Sequence, residues 1–195
     1  MEMIFLYDKN KKYQQFEDEL TAFFNSDDRI ALIRGFMDDD KLIGVLFGLQ
    51  NNKLLKHGVI KVNSLQHFKE LYLRALNRKL KIKLNENFNI GNLIVKVLLY
   101  SRNDTYSPYD SDFEIFYPVE SALYSEKDTK RLKSHIKDSR AKKIIIVTTN
   151  DYSNKTDTLM DLVDKQLVLD SSTKYPDKYR ILINNLKENG QMLPY

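Results

Sequence analysis

Gly35 and Lys41 stand at the spacing with which a chain wraps backbone N–H groups and one ammonium around a phosphate. The residues between them oppose that chemistry. The segment reads Gly35-Phe36-Met37-Asp38-Asp39-Asp40-Lys41-Leu42. Asp40 occupies the place of a second glycine, and Leu42 the place of a magnesium-holding hydroxyl. A carboxylate about 4 Å from a phosphate oxygen repels it by about 4 kcal/mol at an effective dielectric near 20. Three such carboxylates outweigh Lys41. In a first helical turn, however, each acidic residue stabilises by about 0.3–1 kcal/mol. Asp38–Asp40 are therefore expected to cap a helix with its own carboxylates, where a bound anion would otherwise sit.

Asp112 and the triplet Asp128-Thr129-Lys130 supply the residue types of a metal-dependent nuclease, which needs two carboxylates converging on magnesium and a lysine beside the attacking water. Asp128–Lys130 instead opens a basic helix, and Glu114 or Glu120 as substitute ligands lack a lysine at the required spacing. His57, His67 and His135 fall in a strand and two separate helices, with no zinc-binding spacing. The chain has no cysteine, which excludes thiolate metal sites, thiol nucleophiles and disulfides. No catalytic residue, metal ligand or cofactor is assigned.

The elements that must position these residues follow from hydrophobic periodicity. Met3–Tyr7 reads as a short strand, and Tyr13, Phe16, Leu20 and Phe23 as the buried side of a helix ending near Asn25. Arg29–Arg34 is a buried strand, followed by a helix from the acidic run to Leu49. His57–Val62 is the next strand, and Ser64 caps a helix with Leu65, Phe68, Leu71, Tyr72 and Ala75 inward. Leu80–Leu84 and Leu93–Tyr100 predict a hairpin around Asn85–Asn92, and Ser101–Asp112 a polar loop. Strand Phe113–Tyr117, a helix from Lys127 to Arg140, strand Lys143–Val147, a helix over Thr158–Val163, a strand at Leu167–Leu169 and a helix over Tyr179–Glu188 complete the chain. The fold class is α/β, a largely parallel sheet covered by helices on both faces, with a central β-hairpin insertion. Residues 1–195 are expected to form one domain, with 79–112 as the hairpin and loop insertion.

Three pieces in this order carry a family resemblance: the loop Gly35–Leu42 after a strand, the strand Phe113–Tyr117, and the strand Lys143–Val147 ending in Thr148, Thr149, Asn150 and Asp151. Over about Arg29–Leu169 the chain resembles a P-loop NTPase core in outline. The resemblance implies an acidic metal-holding residue after Phe113–Tyr117, where this chain has Pro118, with Glu120 two residues on. It is thus similar to a degenerate P-loop domain whose phosphate-binding motif is not intact.

The charge balance of +4 is mildly basic and compatible with an acidic partner. Lys127, Lys130, Arg131, Lys133, Lys137 and Arg140 crowd one helix, with Leu132 and Ile136 marking its buried side. Such a face suits salt-sensitive phosphate binding and equally suits a solvated helix. Lys79, Lys81 and Lys83 alternate as in protected edge strands. Tyr100, Tyr106, Tyr109 and Tyr117 surround the polar loop as a stacking or contact surface, or as buried rings with wet hydroxyls. Past Gly190, the tail with Met192, Leu193 and Tyr195 can dock on its own domain or on a neighbouring chain. With no apolar run of about 18 residues and no signal-peptide core, the expected location is the cytosol, without a membrane partner.

The leading expectation is a non-catalytic binding or accessory protein acting through protein–protein or protein–nucleic-acid contacts. It includes homo-oligomer formation, and the size suits an accessory protein of a mobile element. Two alternatives remain open: a divergent metal-dependent nuclease or other nucleic-acid-acting enzyme, and a DNA- or RNA-binding module using the Lys127–Arg140 face.

Overall fold

The computed structural model describes residues 11–77, 79–100, 111–149 and 154–193. Met3–Tyr7, Tyr106, Tyr109, Asn150, Asp151, Tyr195 and most of the Ser101–Asp112 loop lie outside them. The chain runs α1 (Lys11–Asn25), β1 (Ile30–Arg34), α2 (Asp38–Asn51), β2 (His57–Val62), α3 (Leu65–Leu76), β3 (Asn87–Ile90) and β4 (Leu93–Leu99). It continues through β5 (Phe113–Tyr117), α4 (Glu126–Asp138), β6 (Lys143–Val147), β7 (Lys165–Val168) and α5 (Pro176–Glu188). Short 3-10 turns at Glu120–Ala122 and Asn154–Leu159 precede α4 and β7.

The strands form one seven-stranded sheet in the order β3-β4-β2-β5-β6-β1-β7. All neighbours are parallel except β3 and β4. The β1 and β6 segments, IALIR and KIIIV, are rich in β-branched and leucine residues because a parallel strand is covered on both sides. Ala31, Ile33, Ile145 and Val147 face α1, α2 and α3, whereas Leu32, Ile144 and Ile146 face Leu132 and Ile136 of α4. Burying each such side chain stabilises by roughly 1.5–3 kcal/mol relative to exposure, so the strand ends that frame the site are fixed by the core. No helix among the described residues is long and apolar enough to cross a membrane.

Two expectations about local structure are corrected. The hairpin is β3–β4, and Leu80–Leu84 forms no strand. Ile82 is buried and Leu80 and Leu84 pack on the core, while Lys79, Lys81 and Lys83 are exposed. The period-two pattern is therefore real, but it lines the core without a ladder partner. β4 lies beside β2 and parallel to it, so the hairpin belongs to the main sheet and sits at its edge. The helix expected over Thr158–Val163 is replaced by the 3-10 turn at Asn154–Leu159. Arg34, buried at the end of β1, donates to Thr156 Oγ1 at 2.9 Å and Asp157 Oδ1 at 3.2 Å, drawing the turn around its guanidinium.

Candidate functional site

The loop after β1 opens at the C-terminal ends of β5, β6 and β1, which lie side by side. Its geometry begins at Gly35, whose φ of +142° lies in a region side chains rarely adopt. A Cβ there would stand 2.5 Å from the carbonyl oxygen of Leu169, just beyond β7. Met37 is the N-cap of α2 and gives no side-chain cap. Asp38, Asp39 and Asp40 form the first turn, as expected.

Their oxygens reach other elements, which corrects the expectation of simple capping. Asp38 accepts from the Tyr117 hydroxyl at 2.5 Å, at the end of β5. Asp39 accepts from Arg74 of α3 through Nη2 at 2.6 Å and Nε at 3.2 Å. Asp40 accepts from the Tyr13 hydroxyl of α1 and from Lys174 Nζ at 3.2 Å; Ser171 Oγ lies 3.4 Å away. The run still places negative charge at the N-terminus of α2. It also ties that terminus to β5, α3, α1 and the segment leading into α5.

Lys41, one turn into α2, is fully buried. Helical side chains slant toward the N-terminus, which brings Nζ back to the Gly35 carbonyl oxygen and across to that of Thr149. Glu120 enters the same crevice from the other side. Its Oε1 accepts from the Thr149 N–H at 2.5 Å, and its charge interacts with that of Lys41. Burial raises the Glu120 carboxyl above the ordinary carboxylate value, against the lowering effects of backbone N–H groups and Lys41. The Glu120 Oε2 atom is buried without a hydrogen-bond partner. Glu120 was legible only as the acidic residue two positions beyond Pro118; its convergence with Lys41 depends on the path of the chain after β5.

Burial and the Asp38 charge push the Tyr117 phenol up, and burial and the Asp40 hydrogen bond do the same for Tyr13. Both therefore remain donors at neutral pH and hold the carboxylates in place.

The nuclease residues are not brought together. Asp112 precedes β5 and Asp128 opens α4 beyond its far end, so they belong to opposite ends of a five-residue strand about 16 Å long. Asp112 accepts from the N–H groups of Lys56 and His57, both at 3.0 Å, and from Lys142 Nζ at 2.7 Å. Glu114 is fully buried and pairs with Lys61 at 3.1 Å. Among the described residues no group of three or more His, Asp or Glu side chains is placed to hold a metal. The histidines are dispersed: His57 neighbours Asp112, His67 stacks on Tyr117, and His135 lies in the last turn of α4.

The expected basic face is broken by local acids. Lys130 pairs with Glu126 at 2.6 Å, Arg131 with Asp128 at 3.6 Å and Lys133 with Asp161 at 2.7 Å. Lys127 and Lys137 are exposed, and Arg140 lies past the end of α4. Leu132 and Ile136 are buried as the periodicity required. Of the tyrosines, Tyr100 and Tyr117 are buried, so they form no stacking surface. Met192 in the tail is 85% exposed and does not dock on this chain. No protein-family model matches the chain, and no curated protein matches it.

Proposed function

We propose that this is a non-catalytic binding or accessory protein on a degenerate P-loop-like scaffold, acting through contacts with another protein. The observation that carries the proposal is Lys41. The one cation at phosphate-binding spacing is enclosed, donates to two main-chain carbonyls and faces a carboxylate of the same chain. The three aspartates beside it are held by neighbouring elements. The loop thus acts as a joint between elements, and function resides on outer surfaces.

Protein contact is favoured over nucleic acid because three of the six basic residues expected to bind phosphates are paired with carboxylates. On the same side, Tyr124 is 74% and Met160 42% exposed, and aromatic and methionine side chains are enriched at protein interfaces. Self-association and a mobile-element setting belong to the same proposal.

A thermal scan of the full chain with ATP or GTP and magnesium is the test. No change in midpoint is expected. A nucleotide-dependent rise that disappears in Lys41→Ala overturns the proposal. Purification from the native host with Tyr124→Asp and Met160→Asp as paired baits then locates the contact: a partner retained by both variants excludes this face.

A further inference from the structure

Among the asparagines of the chain, only Asn189 is followed by glycine. The pair closes α5. Gly190 adopts a φ of +65° just past the C-cap, and its N–H donates to the Lys187 carbonyl oxygen at 3.0 Å. The Gln191 N–H donates to the Leu186 carbonyl oxygen at 2.8 Å, which completes a left-handed helix stop. Asn189 is exposed, and its Nδ2 donates to the Asn185 carbonyl oxygen at 2.7 Å. A Cβ built on Gly190 would meet nothing within 4 Å, so the space around this peptide is open. The turn is also weakly anchored. Leu186 is the only buried side chain of α5, and Met192 beyond the stop is exposed. A helix end with so few apolar contacts opens at far lower cost than the sheet.

We propose that Asn189 is a site of spontaneous deamidation, released by opening of the last turn of α5. In the closed turn Lys187 engages the Gly190 N–H and Asn185 engages the Asn189 amide. Opening frees both. Hydroxide then removes the Gly190 amide proton, and the nitrogen attacks Asn189 Cγ. The Cγ–Nδ2 bond breaks and ammonia leaves, which gives a cyclic imide. Water opens the imide at either carbonyl. One product is aspartate; the other is isoaspartate, with the main chain rerouted through the side chain. The sum is one water consumed and one ammonia released, with no oxidation or reduction. Glycine favours the reaction because a Cβ on the next residue would crowd the closing ring and restrict the backbone. The Asn25-Ser26 and Asn63-Ser64 pairs carry that Cβ. The new carboxylate lies at the negative end of the α5 dipole, where it is unfavourable, and it cannot donate to Asn185. Conversion therefore loosens the turn that had slowed it.

The test is incubation of the full chain in mildly alkaline buffer at physiological temperature, folded and in guanidinium chloride, followed by peptide mass mapping. In the folded chain a gain of a single mass unit is expected, confined to the peptide holding Asn189. Its rate should lie within about a hundredfold of that in denaturant, because the turn opens locally. Release only by global unfolding would slow it by about a thousandfold or more. A rate below the hundredfold limit, or a gain that maps to another asparagine, overturns the proposal. So does equal conversion in Gly190→Ala, whose added Cβ meets no neighbour and should leave the fold intact. In Asn189→Asp, which carries the charge of the product, the Gly190 and Gln191 amides should exchange with solvent about twofold faster or more. Unchanged exchange overturns the loosening of the turn.

Discussion

The Lys41 ammonium donates to the main-chain carbonyl of Thr149, joining the first turns of α2 to the end of β6. A ligand-binding lysine contributes little to folding, and its removal is often neutral or stabilising. This one is structural. Lys41→Ala leaves two carbonyls short of a donor and empties a buried volume, at an expected cost of about 2–4 kcal/mol. Urea unfolding midpoints measure it, and an unchanged midpoint contradicts the structural role.

Gly35→Ala should destabilise by about 2–3 kcal/mol, because a positive φ and a backbone clash with Leu169 act together. The clash is with main chain, so no rotamer change relieves it. Differential calorimetry of the variant beside the parent chain gives the value.

Asp112 ties the start of β2 to Lys142, next to β6. Burial alone would raise its carboxyl, but the Lys142 ammonium and the His57 and Lys56 N–H groups hold it below the ordinary carboxylate value. A depressed folded-state value makes the contribution present above the unfolded value and lost as pH falls through the folded one. Asp112→Asn should therefore cost about 1–3 kcal/mol at neutral pH. The gap to the parent chain should narrow steadily on acidification below the unfolded carboxylate range, and a gap independent of pH contradicts the assignment.

Glu120 behaves with the opposite sign. Its raised value means that its ionisation opposes folding, so the favourable contribution exists in acid and fades as pH rises through the folded value. Glu120→Gln keeps the side-chain shape and removes the titration. It should gain stability relative to the parent chain as pH rises from acid to neutral. Stability measured across that range decides it.

The Asp39–Arg74 pair is well formed but half exposed, with side-chain exposures of 30% and 51%. Exposed pairs contribute about 0–1 kcal/mol and weaken with salt. Arg74→Ala should therefore fall far short of Lys41→Ala, and its effect should vanish at about 1 M salt. A large, salt-resistant loss assigns Arg74 to a different contact.

The bounds expected for β2, β5 and β6 are those observed, because Val, Ile and Phe predominate in each between polar flanks, although each strand also carries one charged residue, Lys61, Glu114 or Lys143. β3 was illegible: Asn87 and Asn89 have poor strand propensity, and only pairing with β4 makes the segment extended. Pro176 begins α5 three residues before Tyr179, where the apolar period starts. In the site, Gly35, the acidic run and Lys41 were visible as a group. Their partners were not. Tyr13, Arg74, Tyr117 and Lys174 are scattered along the chain, and only tertiary packing brings them to one helix end.

Successive residues on a helix point about 100° apart. Asp38, Asp39 and Asp40 thus fan around α2 and meet β5, α3, and α1 with the segment before α5, respectively. This has an evolutionary consequence. Building an anion-holding loop here by single substitutions would mean giving up one of these contacts at each step, with the Leu169 carbonyl already close against Gly35. The buried contacts of Asp38 and Asp40 would be lost before any ligand is gained. Selection for folding therefore opposes the appearance of phosphate chemistry at this loop.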